Sequence, residues 1–213
     1  MPTSRTYGDA CSIARALDAV GERWALLVVR ELLFGPQRFS DLRRALPGAS
    51  SNMLTDRLRE LETHDVLHRR RLPSPAASVV YELTTSGREL EPIVLALGGW
   101  GLRFPIPAAP AHLSATSVLL FLRGSRHPDP QAPPATYRFE LDDQVWTIAT
   151  RDGHIQIESG EPVRSDACLR SDPLTLNAIL TGTTSLAAAT AAGNAVLSGD
   201  NVAMNRLLQP ASL

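Results

Sequence analysis

The sequence has very little cysteine and no lysine. Cys11 and Cys168 are the two cysteines among 213 residues, which is too few for a disulfide framework or a cysteine zinc site and is typical of a reducing compartment. All 21 basic residues are arginines. The planar arginine fork can pair with a phosphate through two hydrogen bonds, so this bias suits phosphate contacts.

Long apolar runs are also absent. The longest apolar stretches, residues 93–102 and 186–197, are broken by glycine or threonine and are shorter than the roughly 20 residues of a membrane helix. The N-terminal residues contain no apolar segment that resembles a secretory signal. We therefore expect a soluble, cytoplasmic protein without a membrane partner.

The motifs of the common enzyme classes are missing. The sequence contains no glycine-rich phosphate loop, no H-E-x-x-H pair and no nucleophile elbow. The histidines show no spacing typical of metal ligands; they are His64, His68, His112, His127 and His154. We therefore predict neither an enzyme nor a bound metal or cofactor.

Proline and charge divide the chain into two parts. Seven of the sixteen prolines fall between Pro105 and Pro134, in the two stretches 105–110 and 128–134, and a helix cannot run through either stretch. Residues 1–104 hold 14 arginines against 12 acidic residues, whereas residues 105–213 hold 7 against 10. We predict two domains, residues 1–104 and 112–213, joined by a proline-rich linker at 105–111.

The first domain has the pattern of a helix-turn-helix. A short helix over residues 39–46, with Ser40 as its expected cap, precedes the turn Pro47-Gly48-Ala49 and a helix over residues 51–63. In the second helix Leu54, Leu58 and Leu61 recur at helical spacing and must face the core. The opposite face of that helix is polar.

A hairpin follows the helix-turn-helix and is expected to form a wing over residues 67–83. Its first strand carries Arg69, Arg70 and Arg71, of which the first and third share a face. Residues 38–71 contain 8 arginines against 5 acidic residues, although the whole chain has a net charge of −1. This local positive charge predicts a surface for double-stranded DNA.

The predicted DNA contacts follow from these two elements. Thr55 and Arg59 are the expected base or phosphate contacts of the helix, while Arg57, Arg69 and Arg71 are expected to hold phosphates. An ordinary solvated helix face is the alternative interpretation. The full predicted set is Arg38, Ser51, Asn52, Thr55, Asp56, Arg57, Arg59, Arg69 and Arg71.

The order of these segments resembles the HxlR family of bacterial winged-helix transcription regulators. The resemblance covers residues 9–103 and rests on segments 17–24, 32–36, 38–48, 53–62 and 81–84. It implies a homodimer joined through the first and last helices of the domain, with helix 51–63 in the major groove. Asn52 stands where many members carry a basic residue.

The second domain has the pattern of a sheet followed by helices. Alternating apolar residues predict consecutive antiparallel strands from Tyr137 onward, with Asp152-Gly153 as a hairpin turn. Helices are expected after Asp172-Pro173, at 186–192 and after Asp200. Residues 113–122 fit a helix or a buried strand, and we favour a helix. Cys168 is expected in the core.

The second domain resembles the sterol-carrier-protein type-two fold over residues 136–208, through individually weak motifs in the right order. The sequence therefore predicts an α+β protein: an N-terminal winged helix-turn-helix domain followed by a C-terminal sterol-carrier-like α/β sandwich. The resemblance implies a tunnel for a hydrophobic small molecule or lipid. We predict that such a ligand modulates the affinity for DNA. The candidate lining residues are Phe139, Trp146, Leu176, Ile179, Leu180, Leu186 and Leu197.

Two alternatives stay open for this domain and for the chain. The same apolar residues can form a filled core, in which case the domain only widens a dimer interface. The chain as a whole could be a lipid-like ligand-binding or dimerisation module without sequence-specific DNA function.

Cys11 also has two interpretations. In the HxlR family, a cysteine near the start of the first helix can sense thiol-reactive compounds, and a helix N-terminus favours the reactive thiolate. The alternative is a small hydrophobic residue buried at the dimer seam. No second cysteine lies in the first domain to complete a two-cysteine switch there.

Overall fold

The structure is a computed structural model that describes residues 6–73, 78–105 and 112–209. The chain divides into two compact units, Met1–Pro105 and Ile106–Leu213. Most of the predicted linker, residues 106–111, lies outside the described residues. Each unit is therefore described separately.

The N-terminal unit is mainly helical. Its elements are α1 (Ser12–Val20), α2 (Ala25–Leu32), β1 (Gln37–Arg38), α3 (Phe39–Ala45), α4 (Ser51–Thr63), β2 (Leu67–Arg71), β3 (Val79–Leu83), α5 (Thr85–Arg88) and α6 (Glu91–Gly101). The core consists of aliphatic side chains from α2, α3, α4 and the sheet; Val28, Leu42 and Leu54 have no exposed surface. This unit confirms the predicted winged helix-turn-helix order.

Side-chain caps are observed at α4 and α5, whereas the cap predicted for α3 is not. Ser50 caps α4, because its hydroxyl accepts a hydrogen bond from the Met53 amide at 3.2 Å. Thr84 caps α5 in the same way through the Gly87 amide. The prediction that Ser40 caps α3 is wrong, since that helix begins at Phe39, directly after the strand β1.

The wing is part of a three-stranded sheet. Its strand order is β1-β3-β2, and both pairings are antiparallel. Gln37 and Arg38 pair with Tyr81 and Val80. The sequence did not predict β1, because two residues are too few to show alternation.

The C-terminal unit contains one sheet and four helices among its described residues. Its elements are α7 (Ala115–Ser125), β4 (Ala135–Leu141), β5 (Gln144–Arg151), β6 (His154–Ser159), β7 (Ala167–Ser171), α8 (Pro173–Leu180), α9 (Leu186–Ala191), β8 (Ala195–Gly199) and α10 (Asn201–Leu208). The helix favoured over residues 113–122 is confirmed as α7. A mixed α+β fold with a sheet-rich C-terminal region is therefore established.

The sheet order is β6-β5-β4-β7-β8. Strands β4, β5 and β6 form the expected antiparallel meander, with Asp142 and Asp152 at positive φ in the two tight turns. Strand β7, however, pairs in parallel with β4, so that Tyr137 is aligned with Ala167. A parallel neighbour requires a crossover connection, which the expected run of antiparallel strands did not include.

Burial alternates along the strands, so one face of the sheet forms the core. On β4, Ala135, Tyr137, Phe139 and Leu141 are buried while the residues between them are half-buried. Helix α7 packs on β6, and α10 packs on β7. The prediction that Cys168 lies in the core is wrong: it alternates with buried Ala167 and Leu169 and is half-buried on the other face.

The sterol-carrier-like label stays a prediction, since the sheet and helices establish only the coarser α+β class. Among the residues that the structure describes, no helix has both the length and the apolar character needed to cross a bilayer.

A buried arginine joins three helix ends in the C-terminal unit. Arg126 follows the last residue of α7 and is 8% exposed. Its Nη2 donates hydrogen bonds to the carbonyl oxygens of Leu180 at 2.7 Å and Leu208 at 3.4 Å, the last residues of α8 and α10. Because helix C-termini carry partial negative charge, the guanidinium compensates carbonyls that helical hydrogen bonds leave free. Burial lowers the pKa of Arg126.

We predict that Arg126→Met destabilises the C-terminal unit by about 2 kcal/mol, because buried carbonyls lose charge-assisted hydrogen bonds. Hydrogen exchange followed by mass spectrometry measures the free energy of opening for each unit separately. The matched control is Arg170→Met, which removes an exposed arginine of β7 and should change stability by less than about 0.5 kcal/mol. Equal effects of the two substitutions would show that the hydrogen bonds of Arg126 to the helix ends do not stabilise the unit.

Candidate nucleic-acid interface

The turn between α3 and α4 is held by short-range hydrogen bonds. The Ala49 amide donates to the Leu46 carbonyl at 3.0 Å, and Arg43 donates to the Ala49 carbonyl. Ala49 is 1% exposed. The turn therefore fixes the position of the N-terminus of α4.

Helix α4 has one buried face and one exposed polar face. Leu54, Leu58 and Leu61 are at most 2% exposed. The exposed residues of the opposite face are Ser51, Asn52, Asp56 and Arg59. Since the exposed polar residues begin at the helix N-terminus, this face can be presented to a groove of DNA.

The polar side chains of this face differ in their exposure and in the hydrogen bonds that they already make. The Arg59 side chain is 71% exposed and lies 3.8 Å from the Asp56 carboxylate, a weak surface pair. Thr55 is half-buried, and its hydroxyl donates to the Ser51 carbonyl at 2.8 Å. Thr55 therefore offers its methyl group and hydroxyl lone pairs, while Arg59 retains most of its donors.

Arg57, which the sequence predicted as a phosphate contact, is largely buried, unlike Arg69 and Arg71. Its side chain is 14% exposed and pairs with Glu60 on the same helix and with Glu22, 3.7 Å away, in the α1–α2 connection. Its Nε is buried and has no hydrogen-bond partner among the described residues. This geometry favours a role inside the unit over a contact with DNA.

The wing carries its arginines on both faces. Arg69 and Arg71 are exposed on one face, and Arg69 Nε donates to Glu62 of α4 at 3.1 Å. Arg70 points the other way and donates to Glu82 at 2.9 Å. Within the described residues Arg71 forms no ion pair, so its charge is available for an external anion.

Arg38 lies on β1, where it is aligned through Val80 with Arg70 and therefore shares the Arg70 face of the wing sheet. It is exposed, and its amide donates to the Asp41 carboxylate at 3.2 Å. Its pairing with Val80 fixes its backbone to the central strand of the wing sheet. The side chain therefore extends from a rigid strand.

Cys11 is exposed at the N-terminal cap position of α1. The backbone N–H groups of Ala14 and Ile13 lower the pKa of its thiol below the ordinary value. The Cys11 amide donates to the Asp9 carboxylate at 2.9 Å. Exposure in the single chain is compatible with thiolate chemistry and equally with the alternative of burial at a dimer seam, so both interpretations of Cys11 stay open.

Both α1 and α6 carry large exposed apolar side chains, which are together called the apolar surface of α1 and α6. Helix α6 has no buried residue, although its sequence is strongly apolar. The large exposed side chains of this surface are Ile13, Leu17, Ile93, Leu97 and Trp100, which are 41–69% exposed. The family resemblance implied a dimer through the first and last helices of the domain, and apolar residues on every side of a helix indicate a second covering partner.

The predicted ligand-lining residues lie in the core of the C-terminal unit. Phe139, Trp146, Leu176, Ile179, Leu180 and Leu186 are at most 6% exposed, and Leu197 is half-buried. A shallow depression lined by Pro128, Tyr137, Arg151 and Arg206 has a volume of about 20 Å³, room for one water molecule. The seven predicted residues do not line this depression.

Within the described part of the chain, no three histidine, cysteine or acidic side chains are grouped as metal ligands. The geometry instead brings together an exposed recognition helix and an arginine-bearing wing. The N-terminal unit is therefore a winged helix-turn-helix module.

Comparison with known proteins gives the family. The model of the HxlR-like helix-turn-helix family matches residues 19–107. The HTH-type regulator sll1512 of Synechocystis sp. is 42% identical over 90 residues, which cover 42% of this chain and 67% of that protein. YvaP of Bacillus subtilis is 37% identical over 94 residues, which cover 44% of this chain and 87% of that protein.

A solved structure of the redox regulator HypR in its oxidized form is 37% identical, covers 45% of this chain and 98% of that chain, and has a TM-score of 0.42. The two relatives are named as transcriptional regulators. The chain belongs to the HxlR family of DNA-binding transcriptional regulators.

The lowered pKa of Cys11 generates a prediction about its reactivity. Alkylation by iodoacetamide should reach half its maximal rate below the pH of about 8.5 that is usual for a free thiol, because the thiolate is the nucleophile. Mass spectrometry of the labelled peptide measures this rate against pH. Cys11→Ser, which leaves only Cys168, provides the background, and a half-point at or above the usual value would contradict the prediction.

Proposed function

We propose that the chain is a homodimeric transcriptional regulator in which α4 of each subunit enters the major groove and each wing contacts the phosphate backbone. The observation that carries this proposal is the division of α4 into a buried leucine face and an exposed polar face. Family membership supports the DNA-binding part of the proposal. The expected cytoplasmic location belongs to the same proposal.

The exposed residues divide into two kinds of contact. We infer that Asn52, Asp56 and Arg59, with the methyl group of Thr55, face base edges, since they project from the N-terminal half of α4. Ser51, Arg69 and Arg71 would contact phosphates, and Arg38 stays a predicted contact on the other face of the wing sheet. Arg57 is assigned to the support of α4, because Glu22 and Glu60 already hold it.

We infer that the apolar surface of α1 and α6 forms the dimer interface. An exposed aliphatic and aromatic face on two helices is costly in water and stabilises a complex when a second copy covers it. Phe104 extends the surface next to Trp100. The two ring centroids lie 4.8 Å apart in an edge-to-face arrangement. Two-fold symmetry would place the recognition helices about 10 bp apart, or a multiple of that spacing, on DNA.

An apolar effector in the C-terminal unit stays a prediction. The packing of Phe139, Leu176 and Ile179 favours the alternative of a filled core. A ligand pocket for a drug-sized molecule would need about 300–1,000 Å³, far more than the depression at Tyr137. On this geometry the C-terminal unit would stabilise or position the dimer without a lipid.

The two kinds of DNA contact can be separated experimentally. Operator DNA would first be selected by the wild-type protein from a random duplex library. Arg71→Ala should weaken binding to all sequences about equally and reduce the slope of log affinity against log salt by about 1 per subunit. Arg59→Ala should change the base preference at one position in each half-site, at a cost of about 1–3 kcal/mol.

The matched control is Arg70→Ala, which removes an arginine from the same strand but the opposite face of the wing. It should leave the salt slope unchanged. The wing assignment is wrong if Arg70→Ala and Arg71→Ala change the slope equally, and the groove assignment is wrong if Arg59→Ala leaves base preference unaltered.

The dimer surface generates a separate prediction. Ile93→Asp places a charge on an exposed apolar position of α6 and should convert a wild-type dimer into a monomer, because burial of an unpaired carboxylate is strongly unfavourable. Sedimentation equilibrium measures the change. Val163→Asp, at a fully exposed apolar residue of the C-terminal unit, should leave the dimer intact. A dimer that survives Ile93→Asp would place the interface elsewhere.

A further inference from the structure

Trp24 lies beneath the turn of the helix-turn-helix. A Cβ atom placed on Gly48 would be 2.8 Å from Cη2 and 3.3 Å from Cζ2 of the Trp24 ring. The outer edge of the indole therefore touches the backbone of Gly48, two residues before the cap of α4. A larger residue at position 48 would have to displace either the ring or the turn.

The conformation of Trp24 shows that tertiary packing determines its place. Its φ is 77°, in the left-handed region that bulky residues rarely adopt. Its indole Nε1 is buried and has no hydrogen-bond partner among the described residues. The guanidinium of Arg23 lies 5.1 Å from the ring centroid. The neighbouring side chain and the turn thus hold the ring where local preference alone would not put it.

The same short connection reaches α4 at a second point. Glu22 Oε2 lies 3.7 Å from Nη2 of Arg57, whose side chain is largely buried. Arg57 is six residues after Ser51, which corresponds to about 9 Å along the helix axis. The contact at the turn and the contact at Arg57 are thus separated along the chain, and both add to the buried leucine face that attaches α4.

We propose that Trp24 is a positioning residue for DNA recognition, and that with Glu22 it sets the direction of α4 relative to α1. This inference rests on the proposed function, because it matters only if α4 reads base edges. Hydrogen bonds to bases tolerate displacements of only about 0.5 Å. Phosphate contacts depend mainly on charge and survive larger shifts. Trp24 therefore affects specific binding more than non-specific binding.

The test uses a pair of substitutions that should compensate. Gly48→Ala adds the methyl group that meets the ring, on a backbone that has no positive φ. Trp24→Phe removes the outer ring atoms that this methyl group would meet. Affinities for the selected operator and for an unrelated duplex of equal length would be measured for wild type, both single variants and the double variant.

Each single variant should lose about tenfold in operator affinity, an effect of the size found for residues in direct contact. Binding to the unrelated duplex should change by less than about twofold. The double variant should return to within about threefold of wild type, since the phenyl ring leaves room for the methyl group. Gly124→Ala on α7 is the control, because nothing lies within 4 Å of its added Cβ.

Two results would overturn the inference. Parallel loss of operator and unrelated-duplex binding would mean that the variants merely reduce the amount of folded protein. Operator losses that multiply in the double variant would mean that the two residues do not act through one contact. If Gly48→Ala alone does not fold, the ratio of the two affinities in Trp24→Phe decides: a reduced ratio supports the inference and an unchanged ratio rejects it.

The failure of this inference can be told apart from failure of the proposed function. A wild-type protein without sequence preference, or Arg59→Ala without a change of preference, removes the proposed function itself. If Arg59→Ala behaves as proposed and the Gly48 and Trp24 variants do not compensate, only the positioning role of Trp24 is lost.

Discussion

Leu54, Leu58 and Leu61 attach α4 to the interior of the N-terminal unit, and the properties of its outer face depend on that contact. Each fully buried leucine contributes about 1.5–3 kcal/mol by leaving water, so rotation of the helix about its axis would expose a large apolar area. The polar residues on the other side are thereby held outward, although their own contacts among the described residues are only local ones within α4. The turn at Gly48 and the α1–α2 connection then determine where the exposed face is directed.

The arginines of the N-terminal unit fall into two groups, those that form ion pairs within the fold and those whose charge is available to a ligand. Several arginines neutralise acidic neighbours within the fold: Arg57 with Glu60, Arg69 with Glu62 and Arg70 with Glu82. A count of arginines along the sequence therefore overstates the charge available to DNA. Within the described residues, Arg71 lacks such a partner and Arg59 has only the weak pair with Asp56, so the charge of both arginines is available to phosphate or bases.

Much of the fold was predictable from the sequence because its elements have strong local signals. The leucine spacing gave α4, Asp152-Gly153 gave the turn between β5 and β6, and Asp172-Pro173 gave the start of α8. The two-residue strand β1 and the parallel neighbour of β4 were missed, since their pairing partners are distant in sequence. Of the site, helical periodicity placed Asn52, Asp56 and Arg59 correctly on the exposed face. It could not foresee that Glu22, 35 residues earlier, would draw Arg57 inward.

The parallel pairing of β4 with β7 also determines the order in which the C-terminal sheet can form. Strands β4, β5 and β6 need only short loops to close, so this meander can assemble early. The second edge of β4 is completed only by residues 167–171, which follow the meander in the sequence, and β8 pairs with the other edge of β7. During synthesis the helix-turn-helix unit leaves the ribosome first. A nascent chain can thus hold a finished recognition helix while the central strand of its second unit still has one unpaired edge.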